Sequence, residues 1–247
     1  CFDVKEKTFR HLKFDTYKAT RKPMDEELAV QMPIVKEVLD ALGIVRCELA
    51  GYEADDLLGT ISRRANENGD ECVILTGDRD SLQLVGGGTV VRLVKSALGK
   101  TTYTSYTPEK FREEYGFDPI RLIDFKALMG DSSDNIPGVK GVGEKGARQL
   151  LADFGTLDGI YEHIDDERIK KGVRTKLQAD EQGARDSYWL ATIDRNVPLE
   201  LDVAHLPEQK IDREALYSLL TRLEFDQFIR KLGLTEGGEA AAPRLPA

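Results

Sequence analysis

The chain has 247 residues, 40% hydrophobic and 32% charged, with a formal net charge of −9, a pI near 5.1 and a mean hydropathy of −0.39. That length supports a sizeable core in one large domain or two small ones, and the composition excludes collagen, coiled coil and disorder; no apolar run nears the roughly 18 residues of a membrane span. Three scattered cysteines (Cys1, Cys47 and Cys72) make neither a disulfide framework nor a zinc site and fit a reducing compartment, the cytoplasm by default. The acidity argues against general adhesion to nucleic acid, yet residues 1–22 hold seven bases against three acids, +4, and the remainder carries −13. A basic opening on an acidic body suits a protein that holds a polyanion in one place and gathers carboxylates in another; it equally suits a solvated surface.

In chain order, the opening Cys1 to Val4 reads as the end of a strand. Asp25 to Leu42 has helical apolar spacing, ends at Gly43 and is kinked or shortened by Pro33. Ile44 to Leu49 reads as a strand and Glu53 to Asn68 as a helix; Val73 to Leu75 is a short buried strand and Val90 to Val94 another. This alternation predicts a mostly parallel central sheet flanked by helices. Thr107-Pro108 and Asp118-Pro119 each place a capping residue before an N1 proline, so helices start there. From about residue 130 the chain reads as helical. Asp212 caps a last helix carrying Leu216, Leu219, Leu220 and Leu223, and Gly237 to Ala247 reads as a linker. The expected divisions are an α/β core over 1–129, a helical region over 130–235 and a linker over 236–247.

Four acidic groups fall where an α/β sheet puts its site, beyond strand ends: Asp3; Glu53, Asp55 and Asp56; Asp78 and Asp80; Asp131 and Asp134. Each also has a structural reading, as first-turn helix carboxylates or as turn formers. Repetition favours chemistry, because several carboxylates at one sheet edge repel unless cations neutralise them, and oxygen ligands without a His or Cys pattern point to Mg²⁺ or Mn²⁺. Two such ions suit phosphodiester hydrolysis, with Lys18 and Arg21 clamping the scissile phosphate. Ile136 to Ala147 is a helix-hairpin-helix pattern whose Gly138, Gly141 and Gly143 permit a tight turn before a helix starting near Glu144; it grips backbone phosphates without reading bases, or else is a structural helical turn. A Rossmann fingerprint and a P-loop are both excluded by spacing.

The segments FDVKEKTFRH, YKATR, GYEADDLLGT, LTGDRDSLQL and LMGDSSDNIPGVKGVGEKGA, in order from Asp3 to about Leu234, resemble the 5′ nuclease domains of bacterial DNA polymerase I, members of the flap endonuclease family. The resemblance implies a PIN-like 5′ nuclease fold with a helix-hairpin-helix subdomain, and structure-specific hydrolysis of DNA from the 5′ end in primer removal and repair. It assigns one metal group to Asp3, Glu53, Asp55 and Asp56, the other to Asp78, Asp80, Asp131 and Asp134, together binding two or more Mg²⁺ (or Mn²⁺) ions. Lys18 and Arg21 match the basic pair at the scissile phosphate. Arg10, Lys18, Arg21, Gly138, Gly141, Gly143 and Lys145 are the implied DNA contacts, with K⁺ at the hairpin in relatives. The implied partners are nicked or branched duplexes with a 5′ flap, RNA primer–DNA junctions and a polymerase region in cis, for a monomer in the nucleoid-associated bacterial cytoplasm. Two departures stand out. The family's first strand, with its metal-binding Asp, precedes the position of Asp3, which leaves open whether this chain cleaves DNA or only binds it; and Gly146 replaces a better helix former, at up to about 1 kcal/mol. A PIN-like ribonuclease is a weaker alternative, which the long helical region and the hairpin disfavour.

Overall fold

Three short helices, α1 (Phe9–Lys13), α2 (Glu26–Ala29) and α3 (Gln31–Ala41), precede the longer α4 (Ala54–Glu67). The computed structural model describes residues 1–97 and 99–237. The helix expected over Asp25 to Leu42 is split at Val30, so that Pro33 lies in the first turn of α3, where its missing N–H has no intrahelical partner to lose. Ile44 to Leu49 forms no strand. The Ile44 N–H instead donates to the Leu39 carbonyl at 2.9 Å, and Arg46 folds back onto Asp40 at 2.6 Å.

The sheet has the order β1 (Cys72–Thr76), β2 (Thr89–Ala97), β3 (Lys100–Tyr106) among the described residues, with β1 parallel to β2 and β2 antiparallel to β3. It is mixed rather than mostly parallel because β3, a polar run that offers no apolar stretch, pairs through its Thr- and Tyr-rich backbone. Nor is β1 buried throughout: Ile74 is in the core at 3% exposure, while Val73 and Leu75 are 52% and 66% exposed, the alternation of a strand covered on one face.

Helices then follow as α5 (Pro108–Tyr115), α6 (Leu122–Met129), α7 (Glu144–Phe154), α8 (Leu157–Glu162), α9 (Lys171–Ala179), α10 (Glu181–Ala191), α11 (Arg213–Arg222) and α12 (Asp226–Leu232). The Thr107 hydroxyl caps α5 by accepting from Lys110 N–H at 3.3 Å, with Pro108 at N1. Asp118-Pro119 opens a short 3-10 turn, Pro119–Arg121, that feeds α6. Asp212 caps α11 by accepting from Ala215 N–H at 2.9 Å, but α11 is not the last helix, since α12 follows. The expected linker lies, apart from Gly237, outside the described residues.

Two units result: Cys1–Arg21 with Glu48–Ala204, and Lys22–Cys47 with the residues from His205. In the first, one core runs from Ile74 and Val91 of the sheet through Phe111 and Leu128 to Leu150 and Leu177. The division expected at 129/130 therefore falls inside a continuous core, because α6 is buried on every side from Leu122 to Leu128. The second unit is centred on Ala41, Leu216, Leu220 and Leu234, and the Asp212 N–H donates to the Ala41 carbonyl at 2.8 Å.

Between α6 and α7 the chain makes the expected hairpin. Its first glycine does structural work: Gly138 has φ +61°, a Cβ there would stand 2.2 Å from the Gly130 nitrogen, and its N–H donates to the Ser187 hydroxyl of α10 at 3.0 Å. Gly138 is buried and not available to DNA, whereas Gly141 and Gly143 are exposed. Gly138→Ala is accordingly expected to destabilise the first unit by about 3 kcal/mol or more, measured as a lowered midpoint in urea unfolding, while Gly143→Ala at an extended N-cap costs a fraction of that.

Candidate active site

The first turn of α4 sets the site. Arg10 from α1 is 2% exposed and spends its whole guanidinium on this turn and on the chain after α10: it pairs with Asp56 at 2.8 Å through two nitrogens and with Glu53 at 3.2 Å, and donates to the Leu190 and Thr192 carbonyls at 3.1 and 2.6 Å. Burial opposes the Arg10 charge, and Asp56 and Glu53 more than offset it, raising its pKa. Asp56, wholly buried, also accepts from the Glu53 and Asp194 N–H groups at 3.0 and 2.8 Å. Both expectations for this pair are corrected: Asp56 has no oxygen left for a metal, and Arg10 no nitrogen left for DNA.

Successive residues of a helix point about 100° apart, so anchoring Asp56 inward turns Asp55 outward. It enters a narrow cleft of about 70 Å³, room for a few water-sized groups, lined also by Asp3, Glu53, Asp78, Asp80, Asp134, Lys18 and Arg21. Asp3 reaches it by capping α4, accepting from Ala54 N–H at 2.7 Å. Asp78 and Asp80 arrive on the turn after β1, where the Asp78 carboxylate accepts from Asp80 N–H at 2.9 Å. Burial and the neighbouring charge of Asp78 push the Asp55 carboxyl up to about 6, against one hydrogen bond from Ser81 at 3.0 Å.

Basic side chains balance the rest. Lys18, held at φ +54° and tied by its N–H to the Asp134 carbonyl at 2.9 Å, reaches Glu53 at 2.7 Å and Asp134 at 3.7 Å. Arg21, its side chain 49% exposed, pairs with Asp134. Two participants went unrecognised in the sequence. Tyr17, 3% exposed, donates to Glu53 at 3.0 Å and Asp134 at 3.3 Å. Lys126, 7% exposed on α6, pairs with Asp80 and, at 2.6 Å, with Asp131. Burial works against both members of the second pair, yet Asp80 and Asp131 hold the Lys126 ammonium above its usual range, and Lys126 with Ser133 holds Asp131 at about 2. A lone lysine in the apolar run LIDFKALM was the available signal, since a buried ammonium requires carboxylate partners. Asp131 thus stands behind Lys126 rather than on the cleft wall. Among the described residues no three His, Cys, Asp or Glu side chains are close enough together to hold one ion.

On the hairpin, Gly143 is the N-cap of α7, Lys145 is exposed in its first turn, and the Gly141 carbonyl accepts from the Lys176 ammonium at 2.8 Å.

Residues 1–116 match the 5′-3′ exonuclease N-terminal resolvase-like domain, and residues 117–214 the 5′-3′ exonuclease C-terminal SAM fold. The chain belongs to the 5′-3′ exonuclease family. The DNA polymerase I of Caldicellulosiruptor bescii is 43% identical over 96% of this chain, and that of Bacillus subtilis 42% over 94%. The chain spans 28% and 26% of the length of these relatives. In fold it is similar to a zinc-bound T5 5′-exonuclease (TM-score 0.61, 24% identity, 78% of this chain and 72% of that one) and to the catalytic core of Rad2 in complex with DNA substrate (TM-score 0.59, 20% identity, 90% and 71%). The two 5′-3′ exonuclease domains meet at Gly116, inside one aromatic cluster in which Phe111 stacks on Tyr115 at 4.2 Å and Phe117 lies 5.5 Å from Phe125.

Asp55 makes this 5′-3′ exonuclease chain pH-sensitive in a stated direction. Its carboxyl titrates near 3.8 when unfolded and about 6 when folded, so the folded state binds the extra proton and stability drains away as pH rises from about 4 to about 6. Urea unfolding across that window, in EDTA, should show wild type losing stability relative to Asp55→Asn, and NMR titration of the Asp55 carboxyl should place its midpoint near 6; parallel curves and an ordinary midpoint would refute the assignment.

Proposed function

We propose that this chain is a structure-specific 5′ nuclease of DNA, a 5′-3′ exonuclease and flap endonuclease that hydrolyses phosphodiesters with divalent cations. The observation that carries this reading is the single cleft in which carboxylates from separate segments (Asp3, Asp55, Asp78, Asp80 and Asp134) face Lys18 and Arg21. The donor set fits a hard cation: it is all oxygen, and burial together with the neighbouring charge of Asp78 disfavours an unaccompanied Asp55 carboxylate, a cost that a divalent ion relieves. The candidate ligands, distributed over two or more ions rather than converging on one, are Asp55, Asp78 and Asp80, with Asp3, Glu53 and Asp134 beside them. Bound Mg²⁺ or Mn²⁺ supplies Lewis acidity toward a phosphoryl oxygen and lowers the pKa of an attacking water.

The chain's own part is to hold and orient the substrate. Arg21, half exposed on its link to Asp134, is placed to exchange that carboxylate for a phosphate, and Lys18 adds a point charge beside it. Duplex DNA is gripped at the hairpin by the free N–H groups opening α7 and by Lys145, without base readout. Supporting this are the family's description as 5′-3′ exonucleases and the metal- and DNA-bound states named for the structural neighbours. The finer assignments are Mg²⁺ as the ion, K⁺ at the hairpin, 5′-flap, nicked and RNA primer–DNA substrates, a polymerase region in cis, and a monomer. Among the described residues no helix is long and apolar enough to cross a membrane.

A second reading, a non-catalytic module that binds branched duplex, is favoured by one observation: Lys18, Arg21 and Lys126 already neutralise carboxylates of the cleft. An end-labelled 5′-flap duplex incubated with the chain in Mg²⁺, Mn²⁺ or EDTA separates the two. Metal-dependent cutting at the junction is expected, and Asp78→Asn should lower it about 100-fold or more while duplex affinity stays within about twofold. Binding in EDTA with no cutting under either ion would leave the second reading.

A further inference from the structure

Behind the acidic cleft, and sharing Ile193 with it, lies a separate cavity of about 430 Å³ lined by Phe9, Tyr188, Trp189 and the loop Thr192 to Asn196. Its aromatic wall is braced: Trp189 meets Phe9 edge to face at 5.5 Å and Phe14 at 5.8 Å, and the exposed Lys13 ammonium stands 3.9 Å from the Trp189 ring. Polar groups on the same wall are left unused. Neither the indole N–H of Trp189 nor the hydroxyl of Tyr188 donates a hydrogen bond to another of the described residues.

Arg195 is the more telling member. It is half-buried, its Nε is enclosed with no partner, and its guanidinium makes no ion pair and donates no hydrogen bond among the described residues. Its backbone carbonyl is fixed by Arg63 at 2.8 Å, which brings a second cation alongside; burial and Arg63 together lower the Arg195 pKa. The enclosed Nε is left unsatisfied, and a half-buried cation gains when an anion arrives from outside. Glu67, the acid whose charge acts on Arg195, is paired with Arg63 at 2.5 Å, and Asp194, the acidic residue of the lining, accepts from the Asn196 N–H at 2.8 Å.

We propose that this cavity is a nucleotide site: one unpaired nucleotide of the strand being cut stacks its base on the Phe9, Tyr188 and Trp189 wall and gives its phosphate to Arg195. The inference rests on the nuclease reading above and adds to it a place where single-stranded character is sensed beside the cleft. Stacking on aromatic faces tolerates any base, so the site discriminates paired from unpaired DNA rather than sequence.

Trp189 is the one tryptophan of the chain, which makes the pocket observable by its own emission. The full chain in EDTA is titrated with end-labelled duplex carrying a 5′ oligo-dT flap, the same duplex with an abasic flap, and flapless duplex, reading tryptophan emission and DNA anisotropy together. Emission should change in step with binding of the dT flap and much less with the abasic flap. Arg195→Ala, which removes no hydrogen bond of the fold, should weaken flap binding about tenfold and flapless binding less than twofold. Normal flap binding with unchanged emission, an equal change with abasic DNA, or an Arg195→Ala variant of wild-type affinity each overturns the proposal while leaving the nuclease reading standing. No binding to any of the three DNAs overturns both.

Discussion

The bidentate pairing of Arg10 with Asp56 is the interaction on which the site depends. It joins α1, the first turn of α4 and the chain from Leu190 to Asp194, through bonds between residues up to 182 apart, in a place with almost no access to water. An ion pair so buried gives little net stability over an apolar substitute, but losing either partner strands a charge in the interior. What it secures is orientation. With Asp56 pinned, the rotation of α4 about its axis is set, and with it the direction in which Glu53 and Asp55 project. The same knot fixes the loop whose Ile193 divides the acidic cleft from the aromatic cavity.

The cleft itself is an electrostatic compromise. Carboxylates there would repel one another, and the fold answers by threading cations of its own between them: Lys18 and Arg21 from the basic opening segment, and Lys126 from the buried face of α6. Asp131 and Lys126 hold each other charged, while burial and the neighbouring charge of Asp78 raise the proton affinity of Asp55, whose one hydrogen bond comes from Ser81. Two environments, the cleft wall and the salt bridge behind it, therefore shift carboxylates in opposite directions, the condition under which acidic side chains acquire different roles.

Helix α6 carries the mechanical link. It is enclosed on every side, and its buried Asp124 accepts from the Leu157 N–H at 2.8 Å while pairing with Arg121 at 3.2 Å. Its C-terminal end passes directly into the hairpin, where Gly130 and Gly138 approach too closely for any side chain. The acidic cleft, through Lys126, and the hairpin are thus both built on the C-terminal half of one rigid element.

Local periodicity and capping chemistry were legible in the sequence. The helix α4 with its acidic first turn, the proline-initiated α5, the Asp212 cap and the glycine hairpin all follow from interactions within a few residues, and so did the acidic clusters, because a cluster is a local pattern. The strand expected at Ile44 to Leu49 failed because strand formation depends on a partner elsewhere in the chain, and β3 was missed because its polar, Thr-rich run carries no apolar pattern even though its partner β2 ends just before it. The site divided the same way. That carboxylates gather at one cleft was readable; that Asp56 and Arg10 turn inward to neutralise each other, that Gly138 is buried against Gly130, and that Lys126 enters from an apolar helix were not. Residue type by itself determined which groups can carry charge or bend the backbone, whereas the direction each charge faces was decided only by tertiary packing, since burial and the identity of the partner depend on segments more than a hundred residues away.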